Sequence, residues 1–219
     1  MTKKPKKPPA AQTQRMNLPA KLPAGVSVAA GGEAVDINPA MLAAPQWSMT
    51  ATHAWAERRG PTVQLCFGQG MYGDDKILAA LLIDISASHL NRTLRANSST
   101  PGGDGEISFY DILHGYYLRE IAGSENKDDV KAVLHPFEPP SQRTQVETAH
   151  LVLFAFSEQS AEARFYYLSA NDFQQLRRGQ NVDLVTGRVQ VSMSTSLMYH
   201  LFLRMLELTQ DTDASGRNQ

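Results

Sequence analysis

Three runs of β-favouring apolar residues end in a serine just ahead of residues with helical spacing. They are Leu81, Leu82, Ile83, Asp84, Ile85 and Ser86; Phe165, Tyr166, Tyr167, Leu168 and Ser169; and Val189, Gln190, Val191, Ser192, Met193 and Ser194. A serine at such a junction can turn its hydroxyl onto the unpaired N–H groups that open a helix, so each run reads as strand into helix. Hairpins precede the first two junctions. Trp47, Met49, Ala51, His53 and Trp55 alternate with polar or small residues, a turn follows at 57–61, and Val63, Leu65 and Phe67 alternate again. The plan recurs as a strand over 146–156, a turn at 157–162 and a returning strand at 164–168. Ile85, Ser86, Ala87 and Leu90 align without a gap on Leu168, Ser169, Ala170 and Phe173, which predicts two related strand–strand–helix halves.

Between the halves, the stretch 97–105 has loop composition. Phe109, Ile112, Leu113, Tyr116, Tyr117 and Ile121 then share one face of an amphipathic helix. The prolines Pro136, Pro139 and Pro140 mark 135–140 as a linker. Thr186 and Gly187, between two short apolar runs, predict a further hairpin turn. The last helix, 195–208, is apolar on most sides, with His200, Arg204 and Glu207 as its narrow polar stripe. The fold class is therefore α+β: antiparallel β-hairpins, short Ser-capped helices and a buried C-terminal helix. The expected organisation is a disordered basic, Pro-rich arm over 1–45, halves at 46–137 and 145–208, and a disordered tail at 209–219.

Charge and cysteine usage narrow the setting. Lys3, Lys4, Lys6, Lys7 and Arg15 stand in the first fifteen residues without an acid, so the formal charge of −1 conceals a basic arm on an acidic body. The single cysteine, Cys66, cannot form an intramolecular disulfide, which suits a reducing compartment. Prolines follow the lysines where an export signal would need an apolar run, and no apolar stretch approaches the roughly 20 residues that span a bilayer. The expectation is a soluble cytoplasmic protein with no membrane association.

Gly68, Gly70 and Gly73 form a literal G-x-G-x-x-G after a strand, but too few residues follow for a crossover helix and a second strand. A glycine-rich hairpin loop fits better than a nucleotide site. Cys66 has apolar neighbours and nothing local to activate a thiol. The six histidines are dispersed, with no pair at ligand spacing on one helix, and the Tyr116–Tyr117 and Tyr166–Tyr167 pairs read as packing. No catalytic residue, cofactor or metal is therefore assigned. The leading expectation is a non-catalytic binding or assembly protein that self-associates through Leu197, Leu201, Phe202 and Met205 of the last helix. The alternative is a nucleic-acid binder tolerant of single strands, using Lys3, Lys4, Lys6, Lys7, Arg58, Arg59, Arg92, Arg95, Arg177 and Arg178. An enzyme with a site gathered from distant residues is the third reading.

Overall fold

The computed structural model describes residues 26–30, 33–37, 42–70, 76–98, 108–123, 134, 136–156, 160–178, 180 and 185–210. The first half contributes β3 (Trp47–Thr50), β4 (His53–Arg59), β5 (Thr62–Gly70) and β6 (Ile77–Ser86), then α1 (Ala87–Ser98) and α2 (Phe109–Gly123). The second contributes β7 (Thr144–Ala149), β8 (Leu151–Phe156), β9 (Ala161–Tyr167), α3 (Ala170–Arg177), β10 (Thr186–Met193) and α4 (Thr195–Gln210). Ahead of both, β1 (Val26–Ala30) and β2 (Glu33–Ile37) pair as an antiparallel hairpin, and Leu42 bridges Val185. The disordered arm assigned to 1–45 thus includes two paired strands and a contact with the body. Its residues 1–25, 31–32 and 38–41 lie outside the described residues, as do 211–219 of the assigned tail.

Two four-stranded mixed sheets enclose the core, one ordered β3-β10-β9-β8 and the other β4-β5-β6-β7. Both contain strands of both halves, so 46–137 and 145–208 are interlocked around one core rather than being separate bodies. The pairing pattern is duplicated. Ala54 opposite Phe67 recurs as Val152 opposite Phe165, Leu65 opposite Ile83 as Ala163 opposite Val191, and Leu82 beside Val146 as Gln190 beside Ser48. The equivalent rings Phe67 and Phe165 meet at the centre with centroids 5.8 Å apart. These registers make Ser194 the counterpart of Ser86, since β10 corresponds to β6. Ser169 follows β9, the second strand of its half, so the short match of Ser86 to Ser169 joins junctions that are not equivalent.

Each half's first strand is broken where it changes sheet. The alternation expected to run unbroken from Trp47 to Trp55 inverts at Thr52: Met49 and Ala51 face inward, then Ala54 and Ala56 do, leaving His53 and Trp55 half-exposed. The strand expected over 146–156 inverts likewise at His150, with Ala149 and then Val152 in the core. Corresponding bonds pin the two bends, Thr52 N–H to Gly68 O (2.9 Å) and His150 N–H to Tyr166 O (2.9 Å). Strands that turn a corner in this way join two sheets without a separate connection.

Two of the three junction serines cap their helices. The Ser169 hydroxyl accepts from Asp172 N–H while the Asp172 carboxylate accepts from Ser169 N–H (2.8 Å), a reciprocal capping box. Ser194 Oγ accepts from Leu197 N–H at 3.2 Å. Ser86 does not cap. It still pairs with Thr62 in β6, its hydroxyl meets that of Ser88, and Ala87 N–H is taken by Pro61 O of the β4–β5 turn.

Three further expectations change. Thr186 and Gly187 lie within β10 and not in a turn. A side chain at Gly187 would place Cβ 2.7 Å from the Ala43 and Ala44 carbonyl oxygens, so the glycine serves close approach of the preceding chain. Asn97 and Ser98 belong to α1, their side chains bonded to the carbonyls of Thr93 and Leu94. The stretch 135–140 is no interdomain linker, because Phe137 packs over Gly68 and beside His53.

Helices α1, α2 and α4 complete the main core. Phe202 of α4 lies against Phe109 and Tyr110 of α2 and Phe154 of β8. Leu197, Leu201, Phe202 and Met205, expected at a subunit interface, are each 0–1 % exposed within this chain. They are core residues and present no surface to a partner. Their helix is apolar nearly all round because β4, α1 and α2 all pack on it.

Candidate binding cleft

Among the described residues, the two four-stranded sheets have four outer edges, and they are finished differently. The outer edge of β4 is bridged at Ala54 by Leu134, and Arg204 of α4 reaches Ala56 O (3.4 Å) while lying over the Trp55 ring. That of β8 lies against α1, with Phe109 of α2 stacked on Phe156. The edges of β3 and β7 have no strand beyond them among the described residues.

Beside β3 is an open cleft of about 460 Å³, within the range of ligand sites. One wall is β3 itself, Trp47 to Thr50; Ala79 and Ala80 line it with small side chains, and Gln69, Arg143, Thr144 and Gln145 add polar groups. Ala51 N–H donates to Ser192 O at 2.8 Å, which puts Met49 and Ala51 on the β10 side of the parallel ladder. By the alternation of that ladder, the backbone N–H and C=O of Ser48 and Thr50 point away from β10, toward the free edge. Among the described residues, Arg143 is the sole charged side chain lining the cleft.

The residues singled out for chemistry are placed elsewhere. Gly68 and Gly70 lie in β5, which returns antiparallel into β6, so the G-x-G-x-x-G stretch joins a hairpin; residues 71–75 lie outside the described residues. Burial, assisted by the Glu57 charge, pushes the Cys66 thiol up to about 11, and such a thiol stays protonated at neutral pH. Among the described residues, no group of three or more His, Cys, Asp or Glu is arranged to hold a metal ion. No described helix is long and apolar enough to cross a membrane.

The basic candidates are dispersed. Arg58 bonds to Gly60 O (2.5 Å) and Leu208 O (3.2 Å), and Arg59 is paired with Glu57. Arg92 and Arg95 lie along α1, Arg95 bonding Asn91 Oδ1 at 3.1 Å. Arg178 closes α3, whereas Lys3, Lys4, Lys6, Lys7 and the Arg177 side chain lie outside the described residues.

Two further clusters have no counterpart in the sequence reading. Tyr110, His114 and Tyr117 of α2 stack on Tyr199 of α4, and burial together with the Tyr110 contact pushes the Tyr199 phenol up to about 12. His89, 1 % exposed, is lowered to about 4 by burial and then by the Arg92 and His150 charges; its Nδ1 has no hydrogen-bond partner among the described residues. Helical spacing places Tyr117 on the apolar face of α2 but does not join it to Tyr110, His114 or Tyr199. Nothing in the sequence marks Trp47, Ser48, Thr50 and Arg143 as neighbours, because a sheet edge is created only by long-range pairing. Comparison of the chain with protein-family models, with curated proteins and with solved structures finds no match in any of the three.

Proposed function

We propose that this protein is a non-catalytic binding protein that takes up an extended polypeptide segment carrying a carboxylate, by strand addition along β3. The observation that carries this reading is the uncovered β3 edge opening onto the cleft. An incoming chain meets the free backbone groups of Ser48 and Thr50, and main-chain hydrogen bonds supply affinity largely independent of side-chain identity. Ala79 and Ala80 leave room for the incoming side chains, and Arg143 selects a carboxylate. An uncharged edge such as Trp47, Ser48, Met49 and Thr50 is the kind that proteins otherwise block with lysine, proline or a cover.

The test uses Trp47 emission in a Trp55→Phe background, titrated with C-terminally amidated eight-residue peptides ending in Asp-Glu or in Lys-Lys, and with single-stranded DNA. Saturable change with the acidic peptides, weakened about tenfold by Arg143→Ala, is the expected result. Indifference to all peptides removes the reading, and a response to DNA alone would transfer it to nucleic acid.

A further inference from the structure

We infer that β7 is a self-pairing edge, and that two copies of this chain join antiparallel about Val146. This goes beyond the peptide-binding reading and does not rest on it: β7 and β3 are edges of different sheets in corresponding positions of the duplicated topology, although Thr144 and Gln145 of β7 also line the cleft beside β3.

The first argument is which backbone groups are free. Ala80 N–H donates to Arg143 O at 3.0 Å, and β7 runs parallel to β6 with Ala80 beside Thr144. The alternation of a parallel ladder then directs Gln145 and Glu147 toward β6, and the N–H and C=O of Thr144, Val146 and Thr148 outward. In an antiparallel pair, residues of that outward set must face one another. A two-fold axis through Val146 places Val146 opposite its own copy and Thr144 opposite Thr148, so every outward group in the segment meets a complementary one.

The second argument is side-chain complementarity in that same register. Gln145 falls opposite Glu147 of the partner subunit in the close, non-hydrogen-bonded position, an amide donor against a carboxylate on each side of the axis. Within one chain the two already reach each other, Gln145 Nε2 to Glu147 Oε1 at 2.7 Å, so the carboxylate is oriented for such a donor. The Thr–Thr and Val–Val pairs on the opposite face are also favourable cross-strand neighbours.

The third argument is the contrast with the equivalent row of the other sheet. Trp55, Cys66, Leu82 and Val146 form an apolar row across the outer face, ending in a valine that is 62 % exposed. The corresponding row is Leu153, Arg164, Gln190 and Ser48, which is polar at its open end. A second copy continues the apolar row across the axis from Val146 to Val146. Pairing of one short strand buries less than the interfaces of permanent dimers, so the dimer should dissociate on dilution.

Sedimentation velocity of the full chain over a concentration series tests this, together with Val146→Cys under mild oxidation. Residues facing each other in a hydrogen-bonded antiparallel pair have Cα atoms about 5.5 Å apart, within disulfide range. The expected results are a reversible dimer and efficient disulfide-linked dimer from Val146→Cys but not from Thr50→Cys. Val146→Pro removes one outward N–H at an edge that tolerates proline, and should give a folded monomer. Gln145→Glu sets carboxylates opposite each other and should weaken association at least tenfold, whereas Gln145→Lys should strengthen it. These two charge variants and the crosslink decide the matter if the proline variant fails to fold. A parent that stays monomeric at high concentration overturns the proposal, as does a dimer indifferent to the residue 145 variants or not linked through position 146.

Discussion

At the scale of single residues, the least accommodated group is His89. Its ring is buried beneath α1 with Thr93 on Nε2 at 3.2 Å, and the charged neighbours acting on it are Arg92 on its own helix and His150 at the β7–β8 bend. Both oppose a proton, in addition to desolvation. The unfolded chain binds that proton near pH 6.5, whereas the folded chain does so only near 4. Stability from this group is therefore complete above pH 6.5 and is lost as pH falls toward 4, by about 3 kcal/mol. His150, lowered by burial, acts in the same direction. Urea unfolding at pH 7 and pH 4.5 should show the difference between the two pH values shrinking in His89→Gln. An unchanged difference would mean that other groups govern acid stability.

At the scale of elements, helix entry separates serines that look alike in sequence. Ser169→Ala should cost about 1 kcal/mol, read as a lowered urea midpoint, because the capping box loses its acceptor. Ser86→Ala should move the midpoint by much less, since no orphan N–H depends on its hydroxyl. Equal losses would return Ser86 to the role its spacing suggests. Ser108 shows the converse: it accepts from Asp111 N–H (3.1 Å) and opens α2 with the same Ser-x-x-Asp spacing, a cap that the sequence carries without a β-run before it. The strands Val63–Phe67 and Ile83–Ile85 were legible because their alternation persists to the end. Trp47–Trp55 was legible as β-structure but not in its facing, because a corner at Thr52 inverts the pattern, and periodicity cannot report a corner. The cleft was illegible for a related reason. Arg143 and Trp47 become neighbours only after β7 has paired with β6 and β3 with β10.

At the scale of the whole molecule, interlocked halves imply a single unfolding transition. The two tryptophans report on different sheets, Trp47 on β3 beside β10 and Trp55 on β4 beside β5. Trp47→Phe and Trp55→Phe each leave one reporter. Fluorescence midpoints in urea should coincide with that from circular dichroism within each variant. Midpoints separated by more than the fitting error would show that the sheets melt independently, against the shared core around Phe67 and Phe165.

The parallel pairing of β3 with β10 also has a history in time. Trp47 pairs with Val189, so during synthesis β3 waits through most of the chain for the neighbour that gives its sheet a third dimension of support. Until β10 emerges, β3 has neither edge paired, and α4, which seals β4, does not yet exist. Contacts so distant in sequence slow folding and prolong the interval in which strand edges lie open. Until then the edge that β10 will cover is open to a temporary companion, while the opposite edge, beside the cleft, stays open in the finished protein as well.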